Sequence, residues 1–229
     1  MKINGITDIF FDLDHTLWDF DKNSELAFDK ILKLNKVEVD LQEFLTHYKA
    51  INLQYWKLYR DEKVDKAFMR FGRLNDTFTA LNMVVAEVII HQLAEDYITY
   101  LTDHNFLFEN TVEILEYLSG QYNLHILSNG FEEVQTKKLM KSNISHFFKT
   151  VTNGETVGVK KPNPKIFQHA IEKANTSIEK SIMIGDGFEA DILGAMSIGM
   201  DVIYFNEFNQ EVEAHIKQVK HLIELKKYL

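Results

Sequence analysis

An apolar run that ends in two aspartates is the feature that most restricts the fold of this chain. Thr7–Phe11 has the composition of a buried strand, and Asp12 and Asp14 follow it two positions apart. A buried carboxylate is destabilising unless it is paired or binds a cation. Ligands of open parallel sheets bind at the carboxyl ends of the strands, so the pair predicts a reaction centre with a divalent cation at a strand end.

Composition sets broad limits on the class of protein. With 229 residues, 45% of them hydrophobic and 26% charged, we expect one large domain, or a core domain with a smaller one. The absence of cysteine excludes disulfides, thiolate zinc sites and a cysteine nucleophile. No charged-then-apolar leader opens the sequence, and no apolar run approaches the roughly 20 residues of a membrane span. We therefore expect a cytoplasmic protein with no membrane partner.

The charge balance bears on the binding partner. The net charge is −9, from 25 Lys and Arg against 34 Asp and Glu, which disfavours a nucleic acid polymer because such binding depends on neutralising phosphates. A small phosphorylated metabolite is compatible, since a metal and a few donors can offset the repulsion inside one pocket. We expect a monomer or a weak homodimer.

Strand and helix patterns alternate along most of the chain. Short runs rich in β-branched and aromatic residues predict four strands, at Asp8–Asp12, Leu124–Ser128, Ser181–Asp186 and Asp201–Phe205. Shorter strands are indicated at Lys149–Thr152 and Ile216–Val219. Helical spacing is found at Thr111–Leu118, Glu132–Lys141, Pro164–Ala174 and Ala190–Ile198. This order predicts an α/β fold, a doubly wound parallel sheet with helices on both faces.

The alternation is interrupted once. Between His15 and about Asn105 the sequence has roughly four amphipathic helical stretches and no convincing strand. We predict a helical-bundle cap domain at residues 16–105, inserted into an α/β core domain made of residues 1–15 and 106–229. Because the insertion begins directly after the paired aspartates, we expect it to lie over the site.

Asp12 and Asp14 can divide two tasks. A carboxylate attacks phosphorus once a cation screens the charge repulsion, and we assign this attack to Asp12. Asp14 is then placed to give a proton to the leaving group and to take one from water, and its main-chain carbonyl can face the cation. Aspartate is also common in turns and at helix N-caps, so the pair alone does not decide between these interpretations.

Two further loops supply groups suited to phosphate. Ser128, Asn129 and Gly130 end a predicted strand before a helix, and offer hydrogen-bond donors and a backbone that a phosphate can approach closely. Lys161 precedes Pro162 in a stiff loop, where a fixed ammonium would neutralise phosphoryl oxygens. On its own, each motif is more often an ordinary turn or a solvated lysine pair. With the first loop, the predicted phosphate contacts are Leu13, Asp14, Ser128, Asn129, Gly130 and Lys161.

The fourth loop supplies more carboxylates. Asp186 lies at the end of a predicted strand, and Asp191 follows about one helical turn later, placed to orient Lys161 or a metal-bound water. Glu189 is a reserve ligand that can equally cap the helix. All these candidates are hard oxygen donors, so the predicted ion is Mg²⁺ bound by Asp12, Asp14 and Asp186.

Taken together, the four motifs resemble those of the haloacid dehalogenase superfamily of phosphohydrolases. The residues that carry the resemblance are Asp12-x-Asp14-x-Thr16, Ser128, Lys161 and Gly185-Asp186-x-x-x-x-Asp191. The resemblance implies magnesium-dependent hydrolysis of phosphate monoesters through an aspartyl-phosphate, with a helical cap that opens for substrate and closes to exclude water. It disfavours the dehalogenase branch, whose members use no metal and lack the second aspartate.

Within that superfamily, the segments around His15–Asp21 and Val159–Pro164 resemble the pyrimidine 5′-nucleotidases. This implies a nucleoside 5′-monophosphate as substrate, and Trp18 and Phe20 of the insertion could stack on its base. Aromatic residues at helical spacing are more often core than substrate platform. A sugar-phosphate phosphatase, a phosphomutase and a non-enzymatic module that binds metal and phosphate remain alternatives.

Overall fold

The computed structural model describes residues 2–229, which divide into two compact units. One unit comprises the chain up to Phe20 together with Asn105–Leu229, and the other is Asp21–His104. The α/β unit thus extends further than the predicted boundary at residue 15. The loop after the first strand folds back on itself, because the backbone N–H groups of Leu17 and Trp18 donate to the carbonyl of Leu13 at 2.9 and 2.8 Å.

A six-stranded parallel sheet forms the α/β unit, with strand order β3-β2-β1-β4-β5-β6. The strands are β1 (Asp8–Phe11), β2 (Asn123–Ser128), β3 (Phe148–Asn153), β4 (Ser181–Gly185), β5 (Asp201–Phe205) and β6 (Gln218–Val219). Every residue of β1 and β4 is buried, as in strands covered on both faces. The predicted α/β fold is confirmed, and its order reverses next to β1, which places the tip of that strand where ligands of such sheets bind.

Helices connect the strands, and the last of these helices differs from the predicted one in its first turn. The helices are α5 (Thr111–Ser119), α6 (Glu132–Lys141), α7 (Gly154–Val157), α8 (Pro164–Ala174) and α9 (Gly194–Met196). A π-helical segment, Phe188–Leu193, replaces the first turn of the helix that the spacing predicts at 190–198. Its widened turn forms because Asp191 and Ile192 both donate to the carbonyl of Gly187, and such turns are frequent at functional sites.

The Asp21–His104 unit is helical, as its sequence pattern predicts. Its helices are α1 (Phe20–Leu34, which begins in the other unit), α2 (Leu41–Arg60), α3 (Lys66–Ala80) and α4 (Glu87–Tyr100). Their buried faces meet in an aromatic core in which the ring of Phe28 lies 4.5 Å from the rings of Tyr48 and Tyr97. Asp40 and Asp65 cap α2 and α3 by accepting the first free backbone N–H groups. No helix among residues 2–229 is long and apolar enough to cross a bilayer.

Candidate active site

Asp12 stands at the tip of β1, at the carboxyl edge of the sheet. Its backbone N–H continues the ladder by donating to the carbonyl of Ile184 at 2.9 Å, and the residue is 8% exposed. The neighbouring strand tips carry Ser128 and Gly185. The parallel strands therefore bring the segments of the predicted motifs to one edge, because their register aligns Phe11 with Ile126 on one side and Ile184 on the other.

Lys161 joins this edge from the loop before α8. Its ammonium Nζ donates to Asp12 Oδ1 and to the carbonyl of Leu127, both at 2.6 Å, and lies 2.7 Å from Asp191 Oδ1. Burial of this side chain would lower the pKa of the lysine, but the adjacent Asp12 and Asp191 outweigh it and raise the pKa. The lysine is therefore a fixed positive charge at neutral pH.

The structure gives Asn129 a contact that differs from the predicted one to phosphate. Its amide Nδ2 donates to the carbonyl of Lys161 at 3.0 Å, and its Oδ1 accepts the backbone N–H of Lys161 at 2.7 Å. Both ends of the amide thus hold the main chain of the lysine loop. Asn129 thus positions Lys161, and its predicted contact with phosphate stays a prediction.

Three carboxylates converge beside this lysine. Oxygen atoms of Asp12, Asp186 and Asp191 all lie within 4.8 Å of one another. Thr16 holds Asp186 on two sides, since its Oγ1 donates to Asp186 Oδ1 at 3.0 Å and accepts the Asp186 backbone N–H at 3.1 Å. Gly187 donates its backbone N–H to Asp191 Oδ2 at 2.9 Å. A Cβ atom at Gly185 would lie 2.2 Å from that same oxygen, so glycine is required there.

The electrostatics of the cluster fit a bound divalent cation. Burial raises the pKa of Asp12 well above its usual value; the Lys161 ammonium opposes this shift, and the carboxylates of Asp191 and Asp186 add to it. Burial and the repulsion from Asp191 raise the pKa of Asp186 to about 7. When all three carboxylates are ionised, the single ammonium of Lys161 neutralises one of their negative charges and leaves two uncompensated. A hard dication with oxygen ligands would offset them, and the donor set contains only oxygen.

The converging side chains differ from the predicted set of metal ligands, and the expectation that the main-chain carbonyl of Asp14 faces the cation stays a prediction. The side chain of Asp14 is not part of the converging trio, because both of its carboxylate oxygens accept hydrogen bonds from helix α6. Its place is taken by Asp191, which the sequence suggested only as an orienting residue. Glu189, the reserve ligand, is exposed and is likewise not in the trio.

Asp14 is held by two side chains that sequence reasoning did not select. Gln135 Nε2 donates to Asp14 Oδ2 and to Ser128 Oγ, both at 2.8 Å, and the ammonium of Lys138 donates to Asp14 Oδ1. Ser128 Oγ also accepts the backbone N–H of Gly130 at 3.1 Å, which leaves the hydroxyl proton of Ser128 to donate elsewhere. The signal that could have revealed them is the i, i+3 spacing of Gln135 and Lys138 on the helix that follows Ser128.

Trp18 does not present a face for a substrate base. It belongs to the α/β unit and is fully buried, with the Lys138 ammonium 4.2 Å from the centre of its ring. Phe20 is partly buried and lies under the same ammonium at 5.1 Å. The side chain of Leu13 is fully buried too, so only its main chain can contact a phosphate. The expected stacking role of Trp18 is therefore corrected to one of packing.

Comparison with known proteins agrees with this geometry. A family model described as haloacid dehalogenase-like hydrolase matches residues 8–199, which confirms the resemblance predicted from the four motifs. Pyrimidine 5′-nucleotidase PynA of Streptococcus pneumoniae is 31% identical over 208 residues, covering 89% of this chain and 85% of PynA.

Two other proteins of this family are also similar to the chain. Glyceraldehyde 3-phosphate phosphatase of Methanothermobacter thermautotrophicus is 33% identical over 215 residues, which cover 90% of this chain and 88% of that enzyme. The crystal structure of the putative HAD-hydrolase YfnB from Bacillus subtilis bound to magnesium has a TM-score of 0.88 at 24% identity, over 97% of both chains. At that identity the structural likeness shows a shared fold.

Proposed function

We propose that this chain, which belongs to the haloacid dehalogenase-like hydrolases, is a magnesium-dependent phosphatase of small phosphate monoesters. The observation that carries the proposal is the buried arrangement at the sheet edge, where the Lys161 ammonium joins Asp12 to Asp191 beside Asp186. It combines a nucleophile, a fixed cation and a set of oxygen ligands in one place.

Asp12, Asp186 and Asp191 would hold the Mg²⁺ ion. When bound, the ion neutralises the carboxylates and the phosphate, so that an anionic nucleophile can approach an anionic substrate. Lys161, Ser128 and the main chain at Leu13, Asp14 and Gly130 would hold the phosphoryl oxygens. These roles follow from positions at the strand tips, where parallel sheets bind their ligands.

The reaction would proceed in two displacements at phosphorus. Asp12 attacks, the ester P–O bond breaks, and the departing oxygen takes a proton from Asp14. Water then attacks the phosphorus of the aspartyl-phosphate and gives a proton to Asp14 while the bond to Asp12 breaks. Inorganic phosphate leaves, and the Asp12 carboxylate is restored. The lysine stays charged throughout and stabilises the negative charge that develops on the phosphoryl group.

Two substrate classes are supported by specific relatives. PynA is named as a pyrimidine 5′-nucleotidase, which favours a nucleoside 5′-monophosphate for this chain. The second candidate is a triose phosphate, favoured by the relative that is named glyceraldehyde 3-phosphate phosphatase. Because Trp18 is buried, recognition of a base would have to use Phe20 or residues that the sequence did not suggest.

A substrate panel tests the proposal. The purified protein should release phosphate from nitrophenyl phosphate with Mg²⁺ and stop when the ion is chelated. Asp12→Asn should lose activity by at least about 10⁴-fold while keeping the wild-type melting temperature. Asp201→Asn, an exposed aspartate at the start of β5, is the matched control and should keep full activity.

The same panel separates the candidates. Comparing kcat/KM for pyrimidine nucleoside monophosphates and for glyceraldehyde 3-phosphate identifies the preferred class. Persistent inactivity across the panel with Mg²⁺, or an active Asp12→Asn protein, would refute the proposed phosphatase. Inactivity together with retained binding of Mg²⁺ and phosphate would favour the binding module instead.

A further inference from the structure

Two side chains of helix α6 enclose the carboxylate of Asp14. Gln135 and Lys138 lie three positions apart, so they share one face of the helix, and they are only 1% and 2% exposed. Gln135 Nε2 donates to one carboxylate oxygen of Asp14 at 2.8 Å, and the Lys138 ammonium donates to the other. Both oxygens of the proposed proton-transfer residue are thus occupied by donors from one rigid element.

The surroundings are built to keep these two side chains in place. The Lys138 ammonium lies over the rings of Trp18 at 4.2 Å and Phe20 at 5.1 Å, a favourable contact for a buried cation. A Cβ atom at Gly130 would lie 1.7 Å from Gln135 Nε2, so the absence of a side chain at Gly130 makes room for the glutamine. A buried lysine is rare unless it is paired, and Lys138 forms an ion pair with Asp14.

We propose that Gln135 and Lys138 are positioning residues that hold Asp14 as an oriented hydrogen-bond acceptor for the hydrolysis of the phosphoenzyme. The proposal rests on the proposed function, because it assigns a step of that reaction to the contacts of Asp14. A carboxylate that accepts donors on both oxygens is held in one orientation. A carboxylate held in this way can accept a proton from an attacking water.

The step balances in atoms and charge. The water oxygen bonds to phosphorus, the bond between phosphorus and the Asp12 oxygen breaks, and one water proton moves to the Asp14 carboxylate. The products are hydrogen phosphate, ionised Asp12 and protonated Asp14, which is ready to protonate the next leaving group. Gln135 Oε1 is buried and accepts no hydrogen bond within the described residues. A turn of its amide would let this oxygen accept a hydrogen bond from the protonated Asp14 carboxyl.

Nitrophenyl phosphate isolates this step. Nitrophenolate leaves as a stable anion without needing a proton, so kcat/KM reports formation of the phosphoenzyme and kcat reports its hydrolysis when that is slow. We expect Lys138→Met to lower kcat by about 10- to 100-fold and to leave kcat/KM within about threefold of wild type. Rapid mixing should show a burst of nitrophenolate of one equivalent per site, followed by slow turnover.

Controls make the outcome decisive. Lys137→Met changes the exposed lysine next in sequence and should leave both constants unchanged. In an Asp14→Asn background, Lys138→Met should cause no further loss, because there is no carboxylate left to orient. Gln135→Leu removes the other donor to Asp14 and should likewise lower kcat while leaving kcat/KM nearly unchanged. If Lys138→Met melts at a much lower temperature than wild type, the kinetics of Gln135→Leu test the proposal instead.

Three outcomes would overturn the proposal. Lys138→Met could lower kcat and kcat/KM equally, or it could lower neither. It could also have its full effect in the Asp14→Asn background. A wild-type protein that releases no phosphate from any ester would instead refute the proposed function itself. The two failures are therefore distinguishable.

Discussion

Replacing Lys161 by methionine should destabilise the metal-free protein strongly at alkaline pH and weakly at acid pH. The ammonium makes three contacts of 2.6–2.7 Å, two of them with the carboxylates of Asp12 and Asp191, and the residue is 1% exposed. Removing one partner of a buried ion pair costs about 3–5 kcal/mol, because the remaining charge is left uncompensated. We therefore expect the free energy of unfolding of Lys161→Met to fall by about 3–5 kcal/mol at pH 8 in the presence of a chelator.

The pH dependence follows from the raised pKa of the carboxylates. The pKa of Asp186 is about 7 in the folded protein, against a usual value of 3.8. Between pH 3.8 and about pH 7 the folded state therefore binds a proton that the unfolded state has lost. Its contribution to stability is fully present below pH 3.8 and is lost as the pH rises through about 7. Without Lys161 the repulsion between the carboxylates is larger, so the stability difference between variant and wild type should shrink when the pH is lowered from 8 to 5.5.

Urea unfolding followed by circular dichroism at pH 8 and pH 5.5, with chelator and then with Mg²⁺, measures these effects. A saturating divalent cation should recover part of the lost stability, because it binds the folded state alone. Lys165→Met, at an exposed position in α8, is the matched control and should stay within about 0.5 kcal/mol of wild type. A Lys161→Met protein that is as stable as wild type at pH 8 with chelator would refute this account of the site.

Three further predictions concern single contacts. Gly130→Ala should lower kcat about tenfold and the free energy of unfolding by about 1–3 kcal/mol, since its Cβ would displace Gln135; steady-state kinetics and urea unfolding test both. Burial lowers the pKa of His125 below 6.5 despite its hydrogen bond to Asp8, so its contribution to stability is present above pH 6.5 and is lost as the pH falls. The free energy of unfolding of His125→Gln should therefore decrease less between pH 7 and pH 5 than that of wild type. An equal decrease in the two proteins would contradict this. Thr16→Val should weaken Mg²⁺ binding about tenfold in calorimetry, because it removes the hydroxyl that holds a carboxylate of the trio, and unchanged affinity would count against that ligand.

The strands and the order of the motifs were predictable because they depend on local pattern. Short β-branched runs predicted β1 and β4 within a residue of their ends, and the tips of parallel strands meet at one edge whatever the details of packing. The meeting of Lys161 with Asp12 follows from that topology. For this reason the composition of the site could be read from sequence.

The contacts of helix α6 could not be predicted in the same way. Whether Gln135 and Lys138 reach Asp14 depends on how the helix packs against the sheet, which is set by side chains from several elements. The π-helical turn that brings Asp191 into the trio depends likewise on a tertiary fit, since periodicity predicts an ordinary helix there. No local feature of the sequence indicated that Trp18 is buried beneath the Lys138 ammonium, because an aromatic residue after a loop is compatible with core and surface alike.

In the proposed reaction Asp12 accepts the phosphoryl group. Acid quenching of the protein during turnover of a labelled phosphate ester with Mg²⁺, followed by proteolysis and mass spectrometry, measures this directly. Phosphate should be found on the peptide that contains Asp12, and hydroxylamine should release it, as expected for an acyl phosphate. Phosphate on another residue, or steady release of phosphate with no labelled peptide in the wild type or in the slowly hydrolysing Lys138→Met protein, would contradict it.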